Sequence, residues 1–538
     1  MSRLLEAPPS DRPPGHRRRP RYGYRRLVAL LVVFTLGAVV WRSGVVDSLF
    51  DNSKRSESAG TKSLGSKPSQ ARGTTQAPAQ SPSAVPPTTA ATPGPINTKF
   101  PGLTTFRGNA SRSYYGEGPL PQDPTIVWRY PRTGGLCSKS NNLGQTKVWC
   151  GTGWTGQPNV IVGKDDSVEI RIGAYDGHYH FLDGETGEPV RPDLVTGDLA
   201  KGSATTDPDG FPLYYAGSRD NFFRVVALDR AKPTVLWKMN ANSSVPKKVW
   251  NDDWDGAAMV VGDYLLEGGE NSWFYVVRLN RHYDRNGLVR VNPKIVMRVP
   301  GWDQKLLKAL GDEDVSIENS VAFHNGVAYF ANSGGLVQGW DIRDILRGGT
   351  KYKRVFRFWD GDETDASVVI DPEGYLYVGR HASFNVQSRP QKRDHQVGSL
   401  MKLDPRRPND PVVWDVQVGG FYPDGGILST PALYKGTVYV MDTAGALVAV
   451  DQESGEILWR KSLPGPTWMS PVPIDDQILV GDCSGYLHNF DISNPSKKPK
   501  ELWKIKLGGC VESTPAVWQG MIWVGTRNGG IYAIGDST

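Results

Sequence analysis

The sequence predicts an all-β fold, a β-propeller of eight blades, with seven the alternative count, closed by its N- and C-terminal strands. Three observations predict it. The chain of 538 residues is rich in Gly (61), Pro (40) and Trp (17) although only 38% hydrophobic, the composition of many short strands joined by tight turns. Beyond Phe100 a strand, turn and strand phrase recurs eight times, and most copies are followed by a strand centred on a bulky aromatic residue. Finally, an aromatic strand, TIVWRYP at 125–131, has no hairpin before it, while the last hairpin, ending at Asp536, has no strand after it.

The chain opens on a basic tail. Residues 1–26 hold eight Arg against Glu6 and Asp11, which accounts for the whole net charge of +6 and leaves the rest of the chain neutral. A nucleic-acid-binding domain needs a basic stripe on its folded part, so nucleic acid is not an expected partner. Directly after Arg25 and Arg26 comes an uncharged apolar run at 27–41, which reaches residue 46 if the Arg42 guanidinium snorkels to the interface. Arginines on its N-terminal side predict a signal-anchor helix over 27–46, with 1–26 cytoplasmic and the rest of the chain extracytoplasmic. The competing reading is a cleaved signal peptide, but no A-x-A site follows the run. Residues 47–99 are dominated by Pro, Ser, Thr and Ala, with no charged side chain between Arg72 and Lys99. Such a stretch buries too little apolar area to offset its ordering entropy, and it reads as a disordered stalk. The propeller is expected over 100–538.

The best copies of the phrase are TVYVMDTAGALVAVD (437–451), QILVGDCSGYLHNFD (477–491) and MIWVGTRNGGIYAIGD (521–536). The aromatics that follow the copies are Trp237, Phe356, Trp414, Trp459 and Trp503, with Met297 as a variant and none after the copy ending at Asp183. In GALVAVDQESGEILWRKSLPG (445–465), Asp451 is placed to cap the turn, Gly455 to supply a positive φ, and Trp459 to fill the wedge between diverging sheets. Eight hairpins and eight outer strands balance only if the N-terminal strand completes the C-terminal blade, which removes two exposed sheet edges.

The pattern Ala449-x-Asp451-x-x-Ser454-Gly455-x-x-x-Trp459 resembles the tryptophan-docking motif of β-propellers of the pyrroloquinoline quinone (PQQ) type, and Ala227-x-Asp229 with Trp237 repeats its spacing. The resemblance is strong over 425–536 and looser over 250–400, where insertions stretch the spacing. That family includes quinoprotein alcohol dehydrogenases and non-catalytic envelope propellers, such as a subunit of the outer-membrane barrel assembly machinery. The fold does not choose between them.

In a four-stranded blade the start of the innermost strand and the turn between the second and third strands lie at one end, because consecutive strands are antiparallel. Three consecutive inner strands begin with acids at matching places: Asp255, Glu318 followed by Asn319, and Asp365. Their incoming loops, NDDWD (251–255), GDEDVSIE (311–318) and WDGDETD (359–365), are acidic too, and nearby turns add Glu270, Asn271, Asn332, Arg380 and His381. Converging carboxylates and amide oxygens suit a hard cation such as Ca²⁺, with Asp255, Glu318 and Asp365 as its ligands, or a cationic ligand. The competing reading is that these are solvated acids capping loops. A PQQ dehydrogenase would resemble this arrangement in having an acidic Ca²⁺ site and a carboxylate base near the axis. The chain departs from that pattern because Cys137, Cys150, Cys483 and Cys510 include no adjacent pair and no C-x-x-C-H haem site is present. Their positions predict two structural disulfides, Cys137–Cys150 and Cys483–Cys510.

Two further patterns are read as structural. Gly151-x-Gly153-x-x-Gly156 leads into Gln-Pro and a strand, whereas a dinucleotide site needs a helix start there. His178 and His180 share one strand face with no third metal ligand in view. The expected function is a membrane-anchored extracytoplasmic propeller acting as a binding or scaffold module, with a cation or ligand site for a protein or small-molecule partner at an acidic mouth. The alternative is a PQQ- and Ca²⁺-dependent oxidoreductase of the alcohol dehydrogenase kind, in which Asp255, Glu318 or Asp365 would hold the metal or act as base. No cofactor is assured by the sequence; Ca²⁺ and PQQ are the two that this alternative brings.

Overall fold

Eight antiparallel sheets follow one another along the chain and form the blades of a propeller. The computed structural model describes residues 101–537 except 143–144, 155, 382–392 and 421–424. The basic tail, the 27–46 helix and the 47–99 stalk lie outside these residues; among the described residues no helix is long and apolar enough to cross a membrane. Blades one to seven span 159–195, 205–240, 259–300, 322–359, 369–416, 432–462 and 472–506, and blade eight spans 516–536. Blade eight is completed by the N-terminal strand Pro124–Tyr130, which pairs antiparallel with Ile531–Asp536 in the register Ile126↔Ile534, Trp128↔Ala533 and Tyr130↔Ile531. The ring is therefore closed as the unpaired strand at 125–131 predicts.

The recurring phrase works across blade boundaries. Asp451 Oδ1 accepts from the Ser454 amide at 2.7 Å and the Ser454 hydroxyl at 2.8 Å, capping the turn. Gly455 does have a positive φ of 77°, but its larger role is to leave room: a Cβ there would lie 2.7 Å from the Trp414 ring of the preceding blade. The Trp414 indole then donates to the Gln452 carbonyl at 3.2 Å. The same docking is repeated at the seam of the ring, where Trp128 of blade eight lies on Gly187 of blade one and donates to the Gly184 carbonyl at 2.9 Å. The copy that lacks a following aromatic has an outer strand of only two residues, Leu194–Val195.

The segment 102–118, which carries no repeat, occupies the axis. The inner strands of eight blades would otherwise turn unpaired backbone groups toward an open channel, a row of exposed edges. Instead the segment meets each of them in turn. Leu103 pairs with Val160 of blade one. The Thr104 carbonyl accepts from the Thr206 amide of blade two at 2.7 Å. Ala110 and Ser111 carbonyls accept from Phe323 of blade four and Ile370 of blade five at 2.8 and 3.0 Å. Tyr115 Oη accepts from the Leu433 amide of blade six at 2.6 Å. Gly118 packs on Ile474 and Asp475 of blade seven, and Gly116 pairs with Val517 of blade eight. Blade three is reached through Arg112, whose guanidinium is fully buried and donates to Ala257, Val321 and Phe106 carbonyls at 2.7–3.0 Å. Burial draws the Arg112 guanidinium down to about 9 against the opposing charge of Glu267. Apart from the Arg112 bond to Ala257, these contacts fall on the inner strands beyond their starts, so the segment fills the channel from the end opposite the acidic mouth.

Candidate functional site

A belt of side-chain hydroxyls fixes the geometry of the mouth. At the start of five inner strands, a backbone amide donates to a hydroxyl of the next blade: Gln157 to Ser203, Ala257 to Ser320, Ser320 to Ser367, Ser367 to Thr430 and Thr430 to Ser470, at 2.7–3.1 Å. One residue earlier, Asn319, Ser429 and Ser513 clasp the end of their own second strands, at Ala331, Met441 and Gly525. This fixed register assigns one mouth position to each blade. From blade two onward it holds Lys201, Asp255, Glu318, Asp365, Leu428, Trp468 and Glu512; the blade-one equivalent, residue 155, lies outside the described residues. The three acids read from the sequence thus occupy equivalent places, and Lys201 and Glu512 join them. Both were legible, since Lys201-Gly202-Ser203-Ala204 and Glu512-Ser513-Thr514-Pro515 sit in the same frame as Asp255-Gly256-Ala257-Ala258; a search for consecutive acids passes over them.

The acids fall into separate groups. Asp255 stands with Glu270 and Asp253, and the ammonium of Lys201 lies 2.5, 2.9 and 3.1 Å from Asp255, Glu270 and Asp253 respectively. Arg219 Nε adds a second cation, 2.8 Å from Asp253. Burial alone would lower Lys201, but the carboxylates of Asp255, Glu270 and Asp253 hold it well above the usual lysine range. Three carboxylates face two cations, so one negative charge is in excess; burial first, and then the neighbouring acids, push Asp255 up. Glu318 and Asp365 are joined to each other instead: Ser316 Oγ donates to Glu318 at 2.7 Å, Ser333 Oγ donates to Asp365 at 2.7 Å, and the two hydroxyls are 2.8 Å apart.

The remaining candidates have other surroundings. Asn319 donates to the Ala331 and Thr364 carbonyls, tying blade four to blade five, and Asn271 donates to the Ala241 carbonyl and the Tyr275 hydroxyl. Asn332 binds the Gly301 carbonyl and caps its own turn. Arg380 donates to the Val397 carbonyl, and His381 lies 3.9 Å from Glu363. Burial raises Asp360 to about 7 although Arg380 opposes it, and raises Glu512 to about 7 although Arg527 opposes it. Arg219 and Arg527 each lie 5.3 Å from the Trp149 ring, on the hairpin stapled by Cys137–Cys150. Cys483–Cys510 joins blades seven and eight as expected, and no cysteine is free. Grooves of about 640 and 390 Å³ lie away from the mouth, one at the seam beside Trp128 and Glu188 and one outside blade four beside Asp344 and Tyr352.

His180 belongs to a structural device rather than a metal site. In four blades the Asp or Asn of the second turn bonds the side chain four residues on: Asp176 to His180, Asp220 to Arg224, Asn271 to Tyr275 and Asn528 to Tyr532. His180 also meets Asp193 at 3.2 Å on its other nitrogen. Burial opposes its charge, but these two carboxylates reverse that and push it up to about 9. A folded value above the ordinary 6.5 means that the contribution is complete below that pH and is lost as pH rises through about 9. The loss is on the order of 3 kcal/mol. Urea midpoints at pH 6 and above pH 9 are therefore expected to fall in the parent and to differ far less in His180→Asn.

A family model described as Outer membrane protein assembly factor BamB matches residues 397–498. A quinoprotein ethanol dehydrogenase of Pseudomonas aeruginosa is 32% identical over 377 residues, covering 65% of this chain and 54% of its own length. The outer membrane protein assembly factor BamB of Moranella endobia is 27% identical over 124 residues, 23% of this chain and 29% of its own. The chain thus spans about half or less of the length of these curated relatives. Among solved structures, the quinohemoprotein alcohol dehydrogenase of Comamonas testosteroni superposes with a TM-score of 0.51 at 13% identity, over 81% of this chain and 80% of that one. A europium-containing methanol dehydrogenase gives 0.53 at 13% identity, over 81% and 98%. At these identities the structural likeness shows the fold alone. Repeat, closed ring and matches together support a likeness of this chain to the PQQ-like β-propellers.

Proposed function

We propose that this chain is an extracytoplasmic binding module, carried by the 27–46 anchor and the 47–99 stalk, whose mouth receives a protein or small-molecule ligand through a positively charged group. One observation carries the reading: the axial channel is filled at one end by 102–118, while the mouth positions at the other hold Glu318 with the buried Asp365 and Glu512, the last paired with Arg527 at 3.4 Å, beside Leu428 and Trp468. Carboxylates favour a cation, and a partly exposed indole face adds a cation–π contact of about 0.5–1 kcal/mol. Calorimetric titration of the full-length chain at low salt with spermidine and with a basic peptide tests it. The expected result is saturable binding that Glu318→Gln with Asp365→Asn weakens about tenfold, or 1.4 kcal/mol. No saturable binding, or equal affinity in the double variant, would overturn the reading.

The second reading, a PQQ- and Ca²⁺-dependent oxidoreductase, is favoured by the 32% identity to a quinoprotein ethanol dehydrogenase. In it the mouth acids Asp255, Glu318 and Asp365 would hold the metal or serve as base. The cage of Asp253, Asp255 and Glu270 does not fit a metal ion as it is built, because the Lys201 ammonium stands where the ion would bind. Alcohol-dependent dye reduction by the full-length chain supplied with PQQ and Ca²⁺ decides for this reading; its absence decides against it.

A further inference from the structure

The acidic cage at the start of blade three has the outline of a metal site and a different occupant. Asp253, Asp255 and Glu270 each turn one carboxylate oxygen toward a common point, and these oxygens lie within 4.8 Å of one another. A Ca²⁺ ion with oxygen ligands at about 2.4 Å accommodates that spread. The point is filled by Lys201 Nζ, at 2.5, 2.9 and 3.1 Å from the three acids. An ammonium has three protons to donate, and three carboxylates receive them. The lysine comes from blade two on a loop held hard against the cage: a Cβ on Gly202 would lie 2.2 Å from the Asp255 carbonyl oxygen. Backbone contact, and not chance rotamer choice, delivers the charge.

Charge arithmetic supports the same conclusion. Three carboxylates against Lys201 and Arg219 leave one negative charge, so adding a divalent ion would overfill the buried site and set it against an ammonium at contact distance. Removing the lysine leaves three carboxylates against Arg219 alone, two negative charges, which is the complement of one divalent ion. Asp255 Oδ1, on a residue only 2% exposed, has no hydrogen-bond partner and would supply an additional ligand atom. We propose that Lys201 is the resident cation of this cage in place of a metal ion, so that the cage takes up no divalent cation while Lys201 is present and becomes a Ca²⁺ site when it is removed. The proposal stands apart from the binding reading, which rests on Glu318, Asp365 and Glu512.

The test uses the full-length chain with Ca²⁺ as the probe, read by equilibrium dialysis and by the unfolding temperature in Ca²⁺ and in EDTA. The parent is expected to take up no Ca²⁺ at Asp255 and to unfold at the same temperature in both. Lys201→Met is expected to be less stable in EDTA, to regain stability in Ca²⁺, and to bind the ion about tenfold or more tighter than the parent; adding Asp255→Asn abolishes the gain. Lys201→Gln, which keeps the length of the side chain, provides a second route to a folded variant. Uptake by the parent that Asp255→Asn removes, or folded Lys201 variants that bind no tighter than the parent, would overturn the proposal. The parent measurement decides the occupant even if neither variant folds.

Discussion

Substitution of Arg112 by Met is expected to lower the unfolding free energy by about 3–5 kcal/mol, the range found when one partner of a buried charged network is removed. Arg112 is fully buried on the axis, where its guanidinium serves the Val321, Ala257 and Phe106 carbonyls and the Thr105 hydroxyl. Methionine fills much of the space but leaves these acceptors without donors, and each buried orphan costs about 1–3 kcal/mol. It also removes the charge that faces Glu267, whose two carboxylate oxygens have no hydrogen bond. Arg112→Lys is expected to recover little of the loss, because one ammonium cannot reproduce the planar fork that reaches blades three and four together. Denaturant midpoints of parent and both variants measure the effect. A loss below about 1 kcal/mol, the size of an ordinary surface change, would mean that the axial segment is not held by this residue.

Trp128→Ala is expected to cost about 3–5 kcal/mol, the range for removing a large buried aromatic, and to act at one place in the ring. The Trp128 indole packs on Gly187 and shares the Gly184 carbonyl with the Trp523 indole, the two donors lying 2.9 and 3.0 Å from it. Both tryptophans belong to blade eight, whereas Gly184 and Gly187 belong to blade one, so the loss falls on the seam. Limited proteolysis is the sharper readout. Cleavage near 124–130 should rise in this variant and stay low in Trp459→Ala, which loses a similar ring at the boundary of blades six and seven. Equal cleavage in the two variants would show that the seam is no weaker than other boundaries.

The ring was legible because its information is periodic. Asp451, Gly455 and Trp459 state a spacing, other copies repeat it, and the count of hairpins against aromatic strands leaves one strand, around Trp128, to close the circle. The axial segment was not legible for the converse reason. GLTTFRGNASRSYYGEG has no period of its own, because most of its partners are main-chain groups of different blades, and such groups leave no mark on side-chain pattern. At the mouth, sequence reasoning placed Asp255, Glu318 and Asp365 at equivalent positions, and the hydroxyl belt supports that register. It did not foresee that Asp255 would be matched by a lysine from the preceding blade, since a rule seeking like residues at like positions is blind to a counter-charge there. Nor did it foresee that Asn271 and Asn319 would be engaged in turns and blade contacts, because an amide reads the same whether it faces a ligand or a carbonyl.

The seam and the axial segment together set the order in which the molecule can form. The Gln122 amide bonds the Asp536 carboxylate across 414 residues of chain. Contacts of such sequence separation are slow to form, because loop-closure entropy is lost before they contribute. During synthesis the residues that fill the axis emerge ahead of all the blades that surround them, yet they can be enclosed only after the final hairpin exists. Until that moment the partial toroid keeps two raw sheet edges and an unlined bore, the state in which such a chain is most open to aggregation and proteolysis.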